Sequence, residues 1–311
     1  MNALSQVYQK SIDSFLAPLK TYFDDDSISE IMVNSRVGVF VEQNGCIQHV
    51  EQKPFPERQV RALLQSVAEL NGHFIDENFS SYQGVLPRCG SRFHCIWPPA
   101  TSDGAVHLTI RKHKFGVLNL NQLKEYGAVT DDQMQMLTQQ VKSKCNMIIC
   151  GETGTGKTTM LNALLDESSK SERIVVIEEI PEIEIHTHTN KAMLTTVPPA
   201  EDSTSEKSIR ELVRESLIMR PDRIILGECR GVEAVDMIQA MQTHRGCLAT
   251  LHGRSIESAR YRLETLMLQA QDNYTTEIVK REIESSIDVF IQLTRDSTGR
   301  RYVSDIRVLN E

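Results

Sequence analysis

The sequence predicts an α/β protein of two domains, the second built on a mainly parallel sheet. Three observations carry this expectation. The chain has 311 residues, enough for two hydrophobic cores rather than one. Beyond about residue 130, short apolar runs alternate with helical stretches, the pattern of parallel strands joined and covered by helices. Between an apolar run, Met147 to Cys150, and a helical pattern, Met160 to Leu165, lies the glycine-rich segment Gly151-Glu152-Thr153-Gly154-Thr155-Gly156-Lys157-Thr158-Thr159.

Leu4, Val7, Tyr8, Ile12, Phe15, Leu16, Leu19 and Phe23 recur at helical spacing and predict one amphipathic helix ending before Asp24-Asp25-Asp26. Its polar face is not rich in Lys or Arg, so it reads as a helix packed on its own domain rather than on a membrane. Residues 31–34 and 38–42 predict strands, and Asn44-Gly45 a tight turn into Cys46-Ile47. A helix is expected from Glu57 to about Leu70, then strands within 84–96 and 106–111, with Trp97-Pro98-Pro99 as a break. Residues 1–115 thus read as a small mixed α/β domain, 116–129 as a linker carrying Gly116 and Gly127, and 130–311 as the second domain. There Thr130-Asp131-Asp132-Gln133 is a capping-box signature opening a helix to about Lys144. Strands follow at Ile148, 173–177, 192–196, 223–226 and 247–251, separated by helical stretches. Helices over about 255–270 and 275–285 and a hairpin around Ser297-Thr298-Gly299 complete the domain.

Composition narrows the function classes. Hydrophobic residues make up 40% and charged residues 24%, as in an ordinary soluble protein. No signal-peptide pattern and no apolar run of bilayer-spanning length is seen, so a cytoplasmic protein without a transmembrane segment is expected. The net charge of −8 divides as 11 Lys+Arg against 12 Asp+Glu in residues 1–115 and 23 against 30 in 116–311. Neither part carries the basic excess of a phosphate-neutralising surface, so no nucleic-acid partner is expected. Seven cysteines without a CxxC pair argue against a disulfide framework and against structural zinc, and Cys89, His94 and Cys95 read as strand side chains.

The loop from Gly151 to Thr159 satisfies GxxxxGK[ST] at every fixed position. Glycines let successive N–H groups turn inward on a polyphosphate, the following helix adds its positive end, Lys157 reaches the β and γ phosphates, and Thr158 can ligate Mg²⁺. ATP or GTP binding follows. Glu228 ends the apolar run Arg223-Ile224-Ile225-Leu226-Gly227 and is the candidate to polarise the attacking water; Asp222, before that strand, reads as structural. Ile177-Glu178-Glu179-Ile180-Pro181-Glu182 offers carboxylates at the next strand end. Glu179 is the first candidate to hold Mg²⁺ or its water and Glu178 the second, with Glu182 expected to face solvent. His244 and His252 flank the run from Gly246 to Leu251, where a histidine could sense the γ-phosphate or could be structural.

GETGTGKTT, IEEIPEIEI, LVRESLIMRPDRIILGECRG and QTHRGCLATLH occur in the order and spacing of the secretion-superfamily ATPases, the motors of type II and type IV secretion, conjugation, and type IV or Tad pili. SEIMVN, LPRCGSRFHCIWPP and LTIRK resemble that family's N-terminal domain, so the resemblance covers nearly the whole chain. It is most similar to the Tad-pilus (CpaF-type) ATPases, with the conjugation and type IV secretion ATPases next. The resemblance implies a RecA-like phosphate-loop domain after a PAS-like N-terminal domain, and Mg²⁺-dependent ATP hydrolysis. It implies a hexameric ring, peripheral at the bacterial inner membrane and working with platform proteins of a pilus or secretion system. It gives Glu228 the catalytic glutamate role, Glu179 the acidic-box role usually filled by Asp, His244 and His252 the histidine-box roles, and Arg88, Arg92 and Arg111 an approach to the nucleotide. Cys89 stands where the family has an acidic residue, and no tetracysteine insert is present. The same residues admit two other readings: a nucleic-acid translocase, and a nucleotide-gated assembly module that does not hydrolyse.

Overall fold

A computed structural model describes residues 3–51, 53–70, 75, 79–86, 90–112, 118–197, 207–271 and 273–309. The chain divides into two compact units, 1–115 and 116–311.

The first unit opens with α1 (Ala3–Leu16), a 3₁₀ turn (Ala17–Leu19) and α2 (Lys20–Asp24). The single helix expected here is interrupted at Pro18, which sits in the first positions of the 3₁₀ turn and has no N–H to continue the ladder. β1 (Ile28–Asn34), β2 (Gly38–Gln43) and β3 (Cys46–Glu51) follow. The turn joining the last two has φ of 51° at Asn44 and 83° at Gly45, the positive values that a tight hairpin requires. α3 (Glu57–Leu70), β4 (Ser81–Val85), β5 (Arg92–Ile96) and β6 (His107–Arg111) complete the unit. The sheet runs β3-β2-β1-β6-β5-β4 with antiparallel neighbours. Burial alternates along its strands: Leu108 and Ile110 in β6 are buried while Thr109 and Arg111 are exposed. The buried face packs Ile31, Val33, Phe93 and Ile110 against Ile12 of α1 and Leu64 and Val67 of α3. On the opposite face the register sets Glu30, Arg111 and Arg92 side by side.

The second unit begins within the segment expected as a linker. α4 (Leu120–Glu125) lies there, capped by a reciprocal Asn119–Gln122 box, and its Leu120 and Leu123 are core residues. α5 (Asp131–Lys142) carries the expected Thr130–Gln133 capping box. β7 (Met147–Gly151), α6 (Lys157–Asp166), β8 (Ile174–Glu178), β9 (Lys191–Thr195), α7 (Ile209–Leu217), β10 (Arg223–Cys229), α8 (Glu233–Thr243) and β11 (Leu248–His252) follow. α9 (Ile256–Ala270), α10 (Thr276–Ser286), β12 (Val289–Arg295) and β13 (Arg301–Val308) close the unit. The sheet order is β13-β12-β7-β11-β10-β8-β9, and β12–β13 is its antiparallel pair while its other neighbours run parallel.

β7 and β8 are buried along their whole length. Ile148 and Cys150 belong to one hydrophobic core, Met147 and Ile149 to another, so side chains on both faces of β7 are enclosed. Because β7, β10 and β11 run the same way, Gly151, Glu228 and His252 arrive at one edge of the sheet, the carboxyl edge at which α/β folds bind ligands. Among the described residues no helix is long and apolar enough to cross a membrane.

Candidate active site

The phosphate loop leaves β7 at Gly151 and enters α6 at Lys157. Its conformation depends on glycine: φ is 76° at Gly154 and 93° at Gly156, which L side chains adopt only under strain. Gly151 has no room for a Cβ, which would lie 2.5 Å from Thr155 Oγ1 and 2.8 Å from the Leu293 carbonyl. Thr155 ties the loop by donating to the Glu152 carbonyl at 2.8 Å. Lys157 is buried, and its Nζ donates to the carbonyls of Gly151 and Glu152 at 3.1 and 3.0 Å.

His252 stands opposite Gly151 in the β7–β11 register. Its Nδ1 is 3.4 Å from Lys157 Nζ. An ammonium can only donate, so Nδ1 accepts and the neutral ring carries its proton on Nε2. That Nε2 lies 2.6 Å from Glu228 Oε1, yet off the line of a hydrogen bond, and this buried oxygen has no hydrogen-bond donor. The other oxygen, Oε2, is held by Arg230 Nη2 at 2.5 Å. Arg230 is in turn placed by the turn after β10, where Glu233 accepts from the backbone N–H groups of Arg230 and Gly231 at 2.6 and 2.7 Å.

Burial lowers the His252 pKa first, and the neighbouring Lys157 charge lowers it further against the pull of Glu228, so the ring favours its neutral form. For Glu228 burial opposes ionisation, but the Arg230 hydrogen bond and the charges of Arg230 and Lys157 outweigh it. Its carboxyl is held below the ordinary value, in the form that can take a proton from water.

The acidic segment after β8 differs from expectation. Glu178 is buried and accepts from the N–H groups of Glu182 and Ile183 at 2.9 and 3.0 Å. Gly227 makes room for it, since a Cβ there would come 2.8 Å from Glu178 Cγ. The chain is thereby folded back, and Glu182, expected to face solvent, is half-buried with Oε2 accepting from Thr158 Oγ1 at 3.2 Å. Glu179 is exposed and faces Arg230, with Oε2 3.5 Å from Nη1. Hydroxyl and carboxylate oxygens together are the hard donors Mg²⁺ takes, so Thr158 and Glu182 fit that ion or its waters. The sequence offered a signal for Glu182 only in its spacing from Glu178; the turn is closed locally by Glu178, but the contact with Thr158 that it makes possible joins distant segments.

The remaining candidates lie elsewhere. His244 precedes β11 and caps α8 at the amino edge of the sheet, with Nδ1 2.9 Å from Thr243 Oγ1, so within this chain it is not brought to the loop. Asp222 is also at that edge, accepting from the Arg173 N–H at 2.9 Å and pairing with Lys144 at 3.5 Å, a structural place as expected. Arg92 and Arg111 are cross-strand partners in the first unit, and Arg111 Nε is 3.9 Å from Glu30. Arg88 and Cys89 fall outside the described residues.

Comparison with known proteins agrees with this architecture. PtlH of Bordetella pertussis, a type IV secretion system protein, is 31% identical over 337 aligned residues that span 98% of this chain and 97% of PtlH. The crystal structure of the VirB11 ATPase of the Brucella suis type IV secretion system superposes with a TM-score of 0.52 at 26% identity, covering 99% of this chain and 97% of VirB11. The Legionella pneumophila ATPase DotB shares the fold with a TM-score of 0.65 at 20% identity, covering 96% of this chain and 80% of DotB. The second unit is accordingly the RecA-like domain of a secretion ATPase, for which ATP is the substrate and Mg²⁺ the accompanying ion. The model of the type II/IV secretion system protein family matches residues 96–307, and this chain belongs to that family.

Proposed function

We propose that the chain hydrolyses ATP at the edge formed by β7, β10 and β11 and uses the cycle to drive a bacterial secretion or pilus machine. The observation that carries the chemistry is the line Lys157–His252–Glu228, which couples the phosphate loop to a half-buried, ionised carboxylate whose buried oxygen lacks a donor. Water donating to that oxygen is oriented for attack at the γ-phosphate: a new O–P bond forms, the β–γ bridging bond breaks, and Glu228 receives the proton. Thr158 with Glu182 or Glu179 would hold Mg²⁺, which would supply charge neutralisation on the phosphates. His252 reports on the γ-phosphate through its contact with Lys157.

Arg92, Arg111 and Arg88 are proposed to approach the nucleotide from the first unit, adding positive charge when the units close. Assembly as a hexameric ring, peripheral to the inner membrane on its cytoplasmic side and engaged with platform proteins of the machine, completes the reading. Support for it comes from the family match and from the type IV secretion names of PtlH and VirB11.

Two variants test the chemistry. Lys157→Ala is expected to lose nucleotide binding, and Glu228→Gln to bind ATP while phosphate release falls by about 10²–10⁴-fold. Wild-type phosphate release by Glu228→Gln would remove that residue from its role.

A further inference from the structure

The terminal hairpin places two arginines beside the phosphate loop. β12 runs alongside β7 with Leu293 opposite Gly151, so the strand ends where the loop begins. Two residues on, Arg295 is half-buried, and a side-chain carbon at Gly154 would lie 3.9 Å from its Nη1. Arg301 faces Arg295 directly across the hairpin, and a carbon at Gly156 would lie 3.8 Å from its Cδ. Both side chains therefore leave the same row of the hairpin toward the two glycines whose backbone shapes the cradle. The turn between them is rigid, because Asp296 Oδ1 accepts from Thr298 N, Thr298 Oγ1 and Arg300 N. Arg300, one position before Arg301, points the other way, donating to the Gly127 carbonyl at 2.8 Å and lying over the Tyr302 ring.

Two guanidinium-bearing side chains directed at one loop add positive charge beside the place where an anion would bind. Guanidinium groups also offer paired N–H donors that match phosphate oxygens. We infer that Arg295 and Arg301 form a clamp, supplied by the same chain as the phosphate loop, that holds the phosphates of the bound nucleotide. This rests on the reading of Gly151 to Thr159 as a nucleotide cradle. It gives the β12–β13 hairpin a part in nucleotide capture and makes the second unit's grip on phosphate independent of the first unit's arginines.

Binding of ADP with Mg²⁺, and of inorganic pyrophosphate, is measured by calorimetry on the full chain. The proteins compared are wild type, Arg295→Gln, Arg301→Gln, the double variant and Lys157→Ala. Each single substitution is expected to weaken both probes by about 10-fold and the double by about 100-fold. The ligand-free melting temperature should be little changed, while the rise produced by ADP shrinks. Arg→Lys at either position should restore part of the pyrophosphate affinity. Wild-type affinity in the double variant overturns the clamp, as does a loss for ADP with none for pyrophosphate, which would put the arginines on the nucleoside. A lower ligand-free melting temperature with intact affinity also overturns it, leaving a purely structural role. If wild type binds neither probe, the cradle reading falls too; if it binds both and only Lys157→Ala loses them, the clamp alone fails.

Discussion

The two sheets bury apolar surface in different ways, and the difference decides where each can hold charge. The antiparallel sheet of the first unit covers one face, so its strands alternate and its other face carries Glu30, Arg92 and Arg111 in a row. The parallel sheet of the second unit is enclosed on both faces, as the fully buried β7 and β8 show, so its functional groups collect at strand ends. An open face gives solvated charges that act only on what is brought to them. A sheet edge gathers Lys157, His252 and Glu228 where burial strengthens each interaction. The first arrangement suits a surface that joins a site, the second the site itself.

The largest test of this contrast is to remove an open-face charge. Arg92→Ala and Arg111→Ala are each expected to lower ATP turnover by about 10³-fold if they complete the site. For Arg111→Ala the denaturation midpoint should barely move, because an ion pair as exposed as Arg111–Glu30, with side chains 48% and 31% accessible, contributes about 0–1 kcal/mol. Turnover equal to wild type with the same midpoint would confine the chemistry to the edge of the second sheet and dismiss the open face as solvated surface.

What the sequence disclosed follows the same division between local and tertiary signals. The phosphate loop was readable because its glycines answer to a backbone requirement that any nine consecutive residues can display. Glu228 was readable as an acid closing an apolar strand, and α3 matches its expected span from Glu57 to Leu70 because the helical period is unbroken. Pro18 gave a local warning that the apolar period of the first helix outweighed. α4 was hidden because its six residues are flanked by Gly127 and resemble a linker until Leu120 and Leu123 are seen in the core. His244 and His252 look equivalent in sequence, flanking one strand; only the strand's direction separates them, one at each edge of the sheet. The contact of Glu182 with Thr158, and the approach of Arg295 and Arg301 to Gly154 and Gly156, join distant segments, so local spacing alone did not reveal them.

A second test reads the packing directly. Ile148→Ala and Ile149→Ala, adjacent in β7 and facing opposite cores, are each expected to cost about 2–5 kcal/mol. In β6 only one of two neighbours should matter: Ile110→Ala by a similar amount and Thr109→Ala within about 0.5 kcal/mol. Denaturant titration of the four variants gives the comparison. Equal costs at Thr109 and Ile110 would show that the first sheet is covered on both faces, and its arginines would lose the open surface on which their proposed role depends.

The smallest effect concerns the edge itself. His252 titrates below its ordinary value, so the folded chain prefers the neutral ring, and the sign of the pH dependence follows. As pH falls through about 6.5 the unfolded chain takes up this proton first, and folding stability declines until the folded pKa is passed. Glu228, also lowered, gives stability that is present above its unfolded value and lost in more acid solution as pH falls through its folded pKa. His252→Asn removes only the first of these stages. Its melting temperature should therefore gain on that of wild type as pH drops below about 6.5, by a modest amount because solvent screens a ring that is 31% accessible. Melting curves of wild type and His252→Asn that stay parallel across this range would mean that Lys157 and burial do not hold the ring neutral, and the sheet edge would then be electrostatically no different from the open face of the first unit.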